Sequence, residues 1–67
     1  MTDPLVERLK TARLSRAITQ EDLAERCHIT RATISRLERG TAGASVYTLR
    51  AMAAALGYRL TLERWSQ

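Results

Sequence analysis

The chain has 67 residues, a formal net charge of +4 and a pI near 10.2. Because Cys27 is the single cysteine and His28 the single histidine, the sequence excludes an internal disulfide and a zinc site built from such ligands, and it implies no cofactor. No apolar run approaches the roughly 18 residues of a membrane span, so we expect a cytoplasmic protein without a membrane partner, and oligomerisation is the expected supplement to its thin core.

The first predicted helix begins at Asp3 and Pro4, which suit the N-cap and the first turn. We expect this helix to end near Arg16. Its apolar face is formed by residues at helical spacing, namely Leu5, Leu9 and Ala12.

Two short helices joined by a turn of about three residues follow, an arrangement typical of a helix-turn-helix motif. Thr19 is the expected N-cap of the first of them, with Asp22 completing a variant capping box, and that helix ends by Cys27. Thr30 caps the second helix, which Gly40 ends in the left-handed conformation. The inward residues of the motif are Leu23, Ala24, Ile34 and Leu37.

A fourth helix is predicted from its N-cap, Ser45, to Gly57. Its apolar residues keep the spacing of three and four along the chain. They are Val46, Leu49, Met52, Ala53 and Leu56.

After Gly57 the apolar residues alternate, which predicts a short β-strand. A single strand in a helical chain has no internal partner for its backbone hydrogen bonds, so we expect it to pair across a dimer. The sequence thus predicts a DNA-binding domain over residues 1–57 and a dimerisation tail over residues 58–67. The tail residues expected to face a partner are Tyr58, Leu60, Leu62 and Trp65.

Several motifs between Leu9 and Gly57 together resemble the phage repressor and Cro (XRE) family of helix-turn-helix regulators. The resemblance implies a mostly α, four-helix repressor-like fold, to which the predicted strand is added. It also implies an ion pair between Arg13 and Glu38, and a Gln20 that contacts phosphate and braces the recognition helix. The motifs are Arg13 before Thr19-Gln20, Leu23-Ala24, Ile29-Thr30, Thr33-Ile34-Ser35, Leu37-Glu38-Arg39-Gly40 and Leu56-Gly57.

The sequence departs from the family pattern at two positions, Ala17 and His28, where glycine is usual. Both positions favour a positive φ, so Ala17 predicts a different backbone path or some strain in the first loop. The tail after Leu56, Gly-Tyr-Arg-Leu-Thr-Leu, is similar to that of the HipB-like antitoxins, whose tails pair as strands across the dimer.

The outward face of the second motif helix holds the expected base-reading residues. Its arginines can each offer two donors to guanine, and an alanine methyl suits thymine. Taken singly, such arginines would more often be only a solvated helix face. The base-reading candidates are Arg31, Ala32, Ser35 and Arg36, and the candidates for phosphate contact and positioning are Thr19, Gln20, Thr30, Thr33, Arg39 and Thr41.

These observations predict a sequence-specific transcriptional regulator, a repressor, that binds a palindromic operator in double-stranded DNA as a homodimer. The alternative is an antitoxin of a type II toxin–antitoxin system, which would bind a toxin protein and regulate its own operon. An enzyme is not expected, because the sequence offers no catalytic arrangement of histidine with serine or threonine and no paired acidic pocket.

Overall fold

The computed structural model describes residues 2–64 and forms four helices in that range. They are α1 (Pro4–Ser15), α2 (Gln20–Cys27), α3 (Arg31–Arg39) and α4 (Val46–Ala55). The mostly α fold and the helix-turn-helix formed by α2 and α3 are therefore confirmed. None of these helices combines the length and the apolar character that crossing a bilayer requires.

Each helix begins at the residue that the sequence predicts as its N-cap. The cap side chains accept hydrogen bonds from first-turn N–H groups at 2.7–3.2 Å, which satisfies donors that the helix itself leaves free. The caps are Asp3, Thr19, Thr30 and Ser45.

The helix ends within residues 2–64 share one backbone motif, in which a residue with positive φ reverses the chain. The next N–H donates to the carbonyl five residues earlier, as from Ile18 to Arg13 at 3.1 Å. Gly40 and Gly57 adopt this conformation at φ of 78° and 85°, whereas Ala17 and His28 adopt it at 55° and 58°. The sequence allows either a different backbone path or some strain at Ala17; its positive φ favours strain, because a Cβ crowds the backbone in this region.

The core lies where α2 packs on α3 and α4, with α1 covering α3 and α4. Its largest fully buried side chains are Leu23, Ile34, Met52 and Leu56. In α1 the innermost apolar residues are Val6 and Leu9, whereas the predicted Leu5 and Ala12 lie at the rim.

Val46 keeps the apolar spacing predicted for the fourth helix but does not face the core, since this residue is 61% exposed. Val46 is the first residue of α4, almost one turn before Leu49, which packs on the core. The helical period is correct, but the apolar pattern extends one residue beyond the packed surface.

The predicted C-terminal strand is not formed: residues 58–64 are neither helix nor strand, and the helices offer them no backbone edge to pair with. Instead, the Tyr58 N–H donates to the Ala53 carbonyl at 2.7 Å, and Leu60 is half-buried against the core. Leu62 is 96% exposed. The start of the predicted tail therefore packs on the helical domain, and Trp65 lies outside the described residues.

Arg16 holds the first tail residues against the end of α1. Its guanidinium lies 5.7 Å from the centre of the Tyr58 ring, within cation–π range. A Cβ added to Gly57 would come within 3.0 Å of the same guanidinium. Because the end of the exposed Arg16 side chain can move aside, the positive φ of 85° is the stronger reason for glycine at this position.

Candidate nucleic-acid interface

The outward face of α3 presents the residues that the sequence assigns to base reading. Ile34, Leu37 and Glu38 are buried, which fixes the opposite side of the helix towards the core. The base-reading candidates consequently occupy one accessible face, with Arg31, Ala32 and Arg36 exposed and Ser35 half-exposed.

The residues assigned to phosphate contact surround the starts and the end of the two motif helices. Thr19 and Thr30 are the N-caps of α2 and α3, where free N–H groups and the helix dipole favour anions. Arg39 is exposed in the last turn of α3. These groups therefore lie at the ends of α2 and α3.

The threonine hydroxyls among the phosphate candidates already make hydrogen bonds within the chain. The Thr41 hydroxyl donates to the Arg36 carbonyl at 3.1 Å, and the Thr30 and Thr33 hydroxyl oxygens lie 2.8 Å apart. Thr41 would have to give up its contact in order to donate to a phosphate. Its place in the structure is that of a helix-end residue that closes the last turn of α3.

Arg13 and Glu38 form a bidentate ion pair between α1 and α3. Arg13 Nε donates to Glu38 Oε2 at 2.8 Å and Nη2 donates to Oε1 at 2.9 Å, with the two side chains only 8% and 2% exposed. The remaining nitrogen, Nη1, donates to the Ile18 carbonyl at 2.8 Å. The pair joins α1, the following loop and α3, and its burial keeps Glu38 away from the accessible face of α3.

Gln20 connects this buried pair to the accessible face. Its Nε2 donates to Glu38 Oε1 at 3.0 Å, and its Oε1 accepts a hydrogen bond from Arg31 Nη1 at 3.4 Å. The contact with Arg31 is absent from the sequence-based expectations. Its one indication in the sequence is position, because Gln20 and Arg31 are the first residues of α2 and α3, and these helix starts lie close together in the motif.

Cys27 and His28 do not contribute chemistry to this surface. Cys27 is buried, and burial raises the pKa of its thiol above the ordinary value, so the group stays neutral near pH 7. His28 is exposed and closes α2 with its positive φ. Within residues 2–64, no three histidine, cysteine or acidic side chains are grouped as metal ligands.

Comparisons with known proteins agree with this geometry. A helix-turn-helix family model matches residues 9–62. A crystal structure of a mutant of the restriction-modification controller protein C.Esp1396I is similar, with 30% identity and a TM-score of 0.77 over 81% of this chain and 70% of that chain. No curated protein gives a significant match. The chain belongs to the XRE-type helix-turn-helix family of DNA-binding transcriptional regulators.

Proposed function

We propose that this protein is a sequence-specific transcriptional repressor that inserts α3 into the major groove of a palindromic operator as a homodimer. The observation that carries the proposal is the outward face of α3, where Arg31 and Arg36 are exposed while Ile34 and Leu37 anchor the helix from behind. An exposed helix with a fixed inner face is the element that major-groove readers use.

The residues of this face divide by chemistry. Arg31 and Arg36 can each donate two hydrogen bonds to the O6 and N7 acceptors of a guanine. The methyl group of Ala32 suits contact with a thymine methyl, and the Ser35 hydroxyl suits either a donor or an acceptor on a base edge. Discrimination between base pairs is thus assigned mainly to the two arginines.

Affinity for DNA that does not depend on the base sequence is assigned to residues at the ends of α2 and α3. The N-termini of α2 and α3 at Thr19 and Thr30 supply N–H groups, Arg39 supplies a charge, and Gln20 retains one amide hydrogen beyond its bond to Glu38. Contacts of this kind release counterions from DNA, so binding should weaken steeply as salt is raised.

A homodimer is supported by the size of the domain and by its exposed apolar residues. Tyr58 and Leu62 in the C-terminal segment are 53% and 96% exposed. Residues 59–64 are in neither a helix nor a strand, so we assign their backbone to pairing with the same segment of a second copy. Two copies would present two α3 helices about 34 Å apart, the spacing of successive major grooves.

The similarity to a restriction-modification controller protein favours a dedicated regulator over an antitoxin. By analogy, control of restriction-modification genes is the first regulatory role to examine. The antitoxin alternative rests on the pattern of the tail, and the same exposed residues are assigned here to the second copy.

Selection of bound duplexes from random DNA by the purified chain tests the proposal. The expected result is an inverted repeat with half-site centres about 10–10.5 base pairs apart, together with a dimer in sedimentation. Absence of any enriched sequence would overturn sequence-specific binding. Enrichment of a single unrepeated half-site would overturn the homodimer, and activation of a reporter placed behind the selected site would overturn repression.

A further inference from the structure

We propose that the groove between α1 and the start of the C-terminal segment receives Leu62 of a second copy, so that each copy closes the groove of the other. This inference rests on the proposed function, in which the C-terminal segments of two copies pair. It deepens that function because it names the surface on which each segment docks and the register in which the two segments meet.

The groove is lined mainly by apolar side chains of α1, α4 and the C-terminal segment. Its volume of about 440 Å³ lies in the range of pockets that bury small ligands, so a leucine side chain fits. The exposed polar residues that line it include Thr11 and Arg59. Its apolar lining residues are Leu5, Leu9, Ala12, Ala53 and Leu60.

Leu62 is the most exposed large apolar side chain of residues 2–64. It is 96% exposed, whereas Leu60 packs on the core. Residues two apart in a strand point to the same face. Once the segment is paired, Leu62 therefore points to the same side as Leu60, towards the helices, although it does not line the groove of its own copy.

The charges of the segment select one register for an antiparallel pair. When Thr61 lies opposite Thr61 of the second copy, Arg59 lies opposite Glu63 of that copy, and symmetry makes this contact twice. A pair centred on Leu60 or Leu62 loses both contacts. A pair centred on Arg59 or Glu63 brings like charges together, which destabilises it. A pair centred between two residues puts the leucines of the two segments on opposite faces.

This register brings Leu62 of each copy opposite Leu60 of the other. Directly opposed side chains share a face, and their Cβ atoms lie about 4.5–5.5 Å apart. Because Leu60 lines the groove of its own copy, Leu62 of the second copy enters that groove. Each dimer then removes two leucine side chains from water, and this burial favours association.

The groove is tested by disulfide formation between two copies, in the background of Cys27→Ala. One copy carries Thr11→Cys, in the groove, and the other carries Leu62→Cys. Leu14→Cys is the matched control, because Leu14 is an exposed residue of α1 that does not line the groove. The copies are mixed and oxidised mildly, and intact mass identifies each linked pair. If a thermal melt shows Cys27→Ala to be unfolded, the buried Cys27 is kept and the natural chain measures its reactivity.

Thr11→Cys is expected to link to Leu62→Cys, and Leu14→Cys is not, because cysteines whose Cα atoms are more than about 7 Å apart cannot be bridged. A dimer in which Thr11→Cys forms no link to Leu62→Cys, or in which Leu14→Cys links as readily, would overturn the groove as the docking site. A monomer in sedimentation would overturn the proposed homodimer itself.

The register is tested by exchanging its charges. Arg59→Glu and Glu63→Arg each bring like charges together and should raise the dimer Kd by at least about twofold. The variant with both changes again opposes unlike charges, so its Kd should return to that of the natural chain. Sedimentation measures the dimer, and thermal melts confirm that each variant is folded. Effects of the two changes that simply add would overturn the register.

Discussion

Arg13 and Glu38 form a bidentate ion pair inside the domain, with hydrogen bonds of 2.8 and 2.9 Å that join α1 to α3. No buried side-chain nitrogen or oxygen of residues 2–64 lacks a partner. A buried ion pair of this kind contributes modestly to stability as a whole, but removal of one partner leaves the other charge uncompensated.

Glu38→Ala is therefore expected to lower the free energy of unfolding by about 3–5 kcal/mol. A domain of this size has about 3–10 kcal/mol in total, so the loss is a large share of its stability, and at the lower end of the range much of the variant is unfolded. The double variant Arg13→Met with Glu38→Met should be far closer to the natural chain. Urea denaturation gives the free energy of unfolding of the natural chain, Glu38→Ala and the double variant. If the double variant is as unstable as Glu38→Ala, an uncompensated charge is not the cause.

Arg31→Ala and Arg36→Ala should each weaken binding to the selected operator by about 1–3 kcal/mol and affect scrambled DNA less. The reason is the loss of the proposed bidentate contact with a base edge, in addition to one positive charge. Arg8→Ala removes the same charge from an exposed position on α1 and is the matched control. Fluorescence titration decides the matter, and equal losses on both DNAs would mean that these arginines hold phosphates.

Ala17→Gly and His28→Gly are each expected to raise the free energy of unfolding by roughly 0.5–1 kcal/mol. Both residues have a positive φ, which costs an L-residue about 1–2 kcal/mol, and the greater freedom of glycine in the unfolded chain offsets part of the gain. Ala54→Gly, at an exposed position in α4, should have the opposite sign. Melting temperatures suffice, and a decrease in all three variants would contradict the strain.

Leu60 and Leu62 should differ in what they stabilise. Leu60→Ala is expected to lower the stability of the domain by about 1–2 kcal/mol, less than for a fully buried leucine, because Leu60 packs on the core. Leu62→Ser should leave that stability within about 0.5 kcal/mol but weaken the proposed dimer. Urea denaturation measures the stability of the domain, and sedimentation measures dimerisation. Truncation after Gly57 would remove both leucines at once and could not separate these effects. If Leu62→Ser does not change dimerisation, Leu62 does not lie in the interface between the two copies.

Burial of Cys27 should make the free energy of unfolding decrease at alkaline pH. Because burial raises the pKa of its thiol, the unfolded chain ionises first as pH rises, and the folded state loses stability between the ordinary and the raised pKa. Below the ordinary pKa this effect is absent. The stability difference between the natural chain and Cys27→Ala should therefore shrink from about pH 7 to about pH 10. A constant difference would contradict the shift.

The helices could be predicted closely because their signals are local. Thr19, Thr30 and Ser45 are caps whose hydroxyls bond within their own first turn, and Gly40 ends α3 by its own backbone freedom. Which apolar residues are buried depends on packing against other helices, and the sequence pattern does not show this. Val46, for example, continues the apolar pattern of α4 but lies outside the surface that packs on the core.

The remaining features depend on partners distant in sequence or in another chain. A strand at residues 58–64 needs a second backbone, which the pattern of one chain does not supply. The bond between Gln20 and Arg31 depends on the distance between two helix starts, which is set only when α2 and α3 pack together.

The buried Arg13–Glu38 pair also has a consequence for genetics. In a screen for mutants that no longer control their promoter, substitutions at Glu38 should appear beside those at Arg31 and Arg36, although Glu38 is hidden within the domain. A map of the operator-binding surface drawn from mutant phenotypes alone would therefore include an interior residue, and only the amount of folded protein in each strain would separate the two classes.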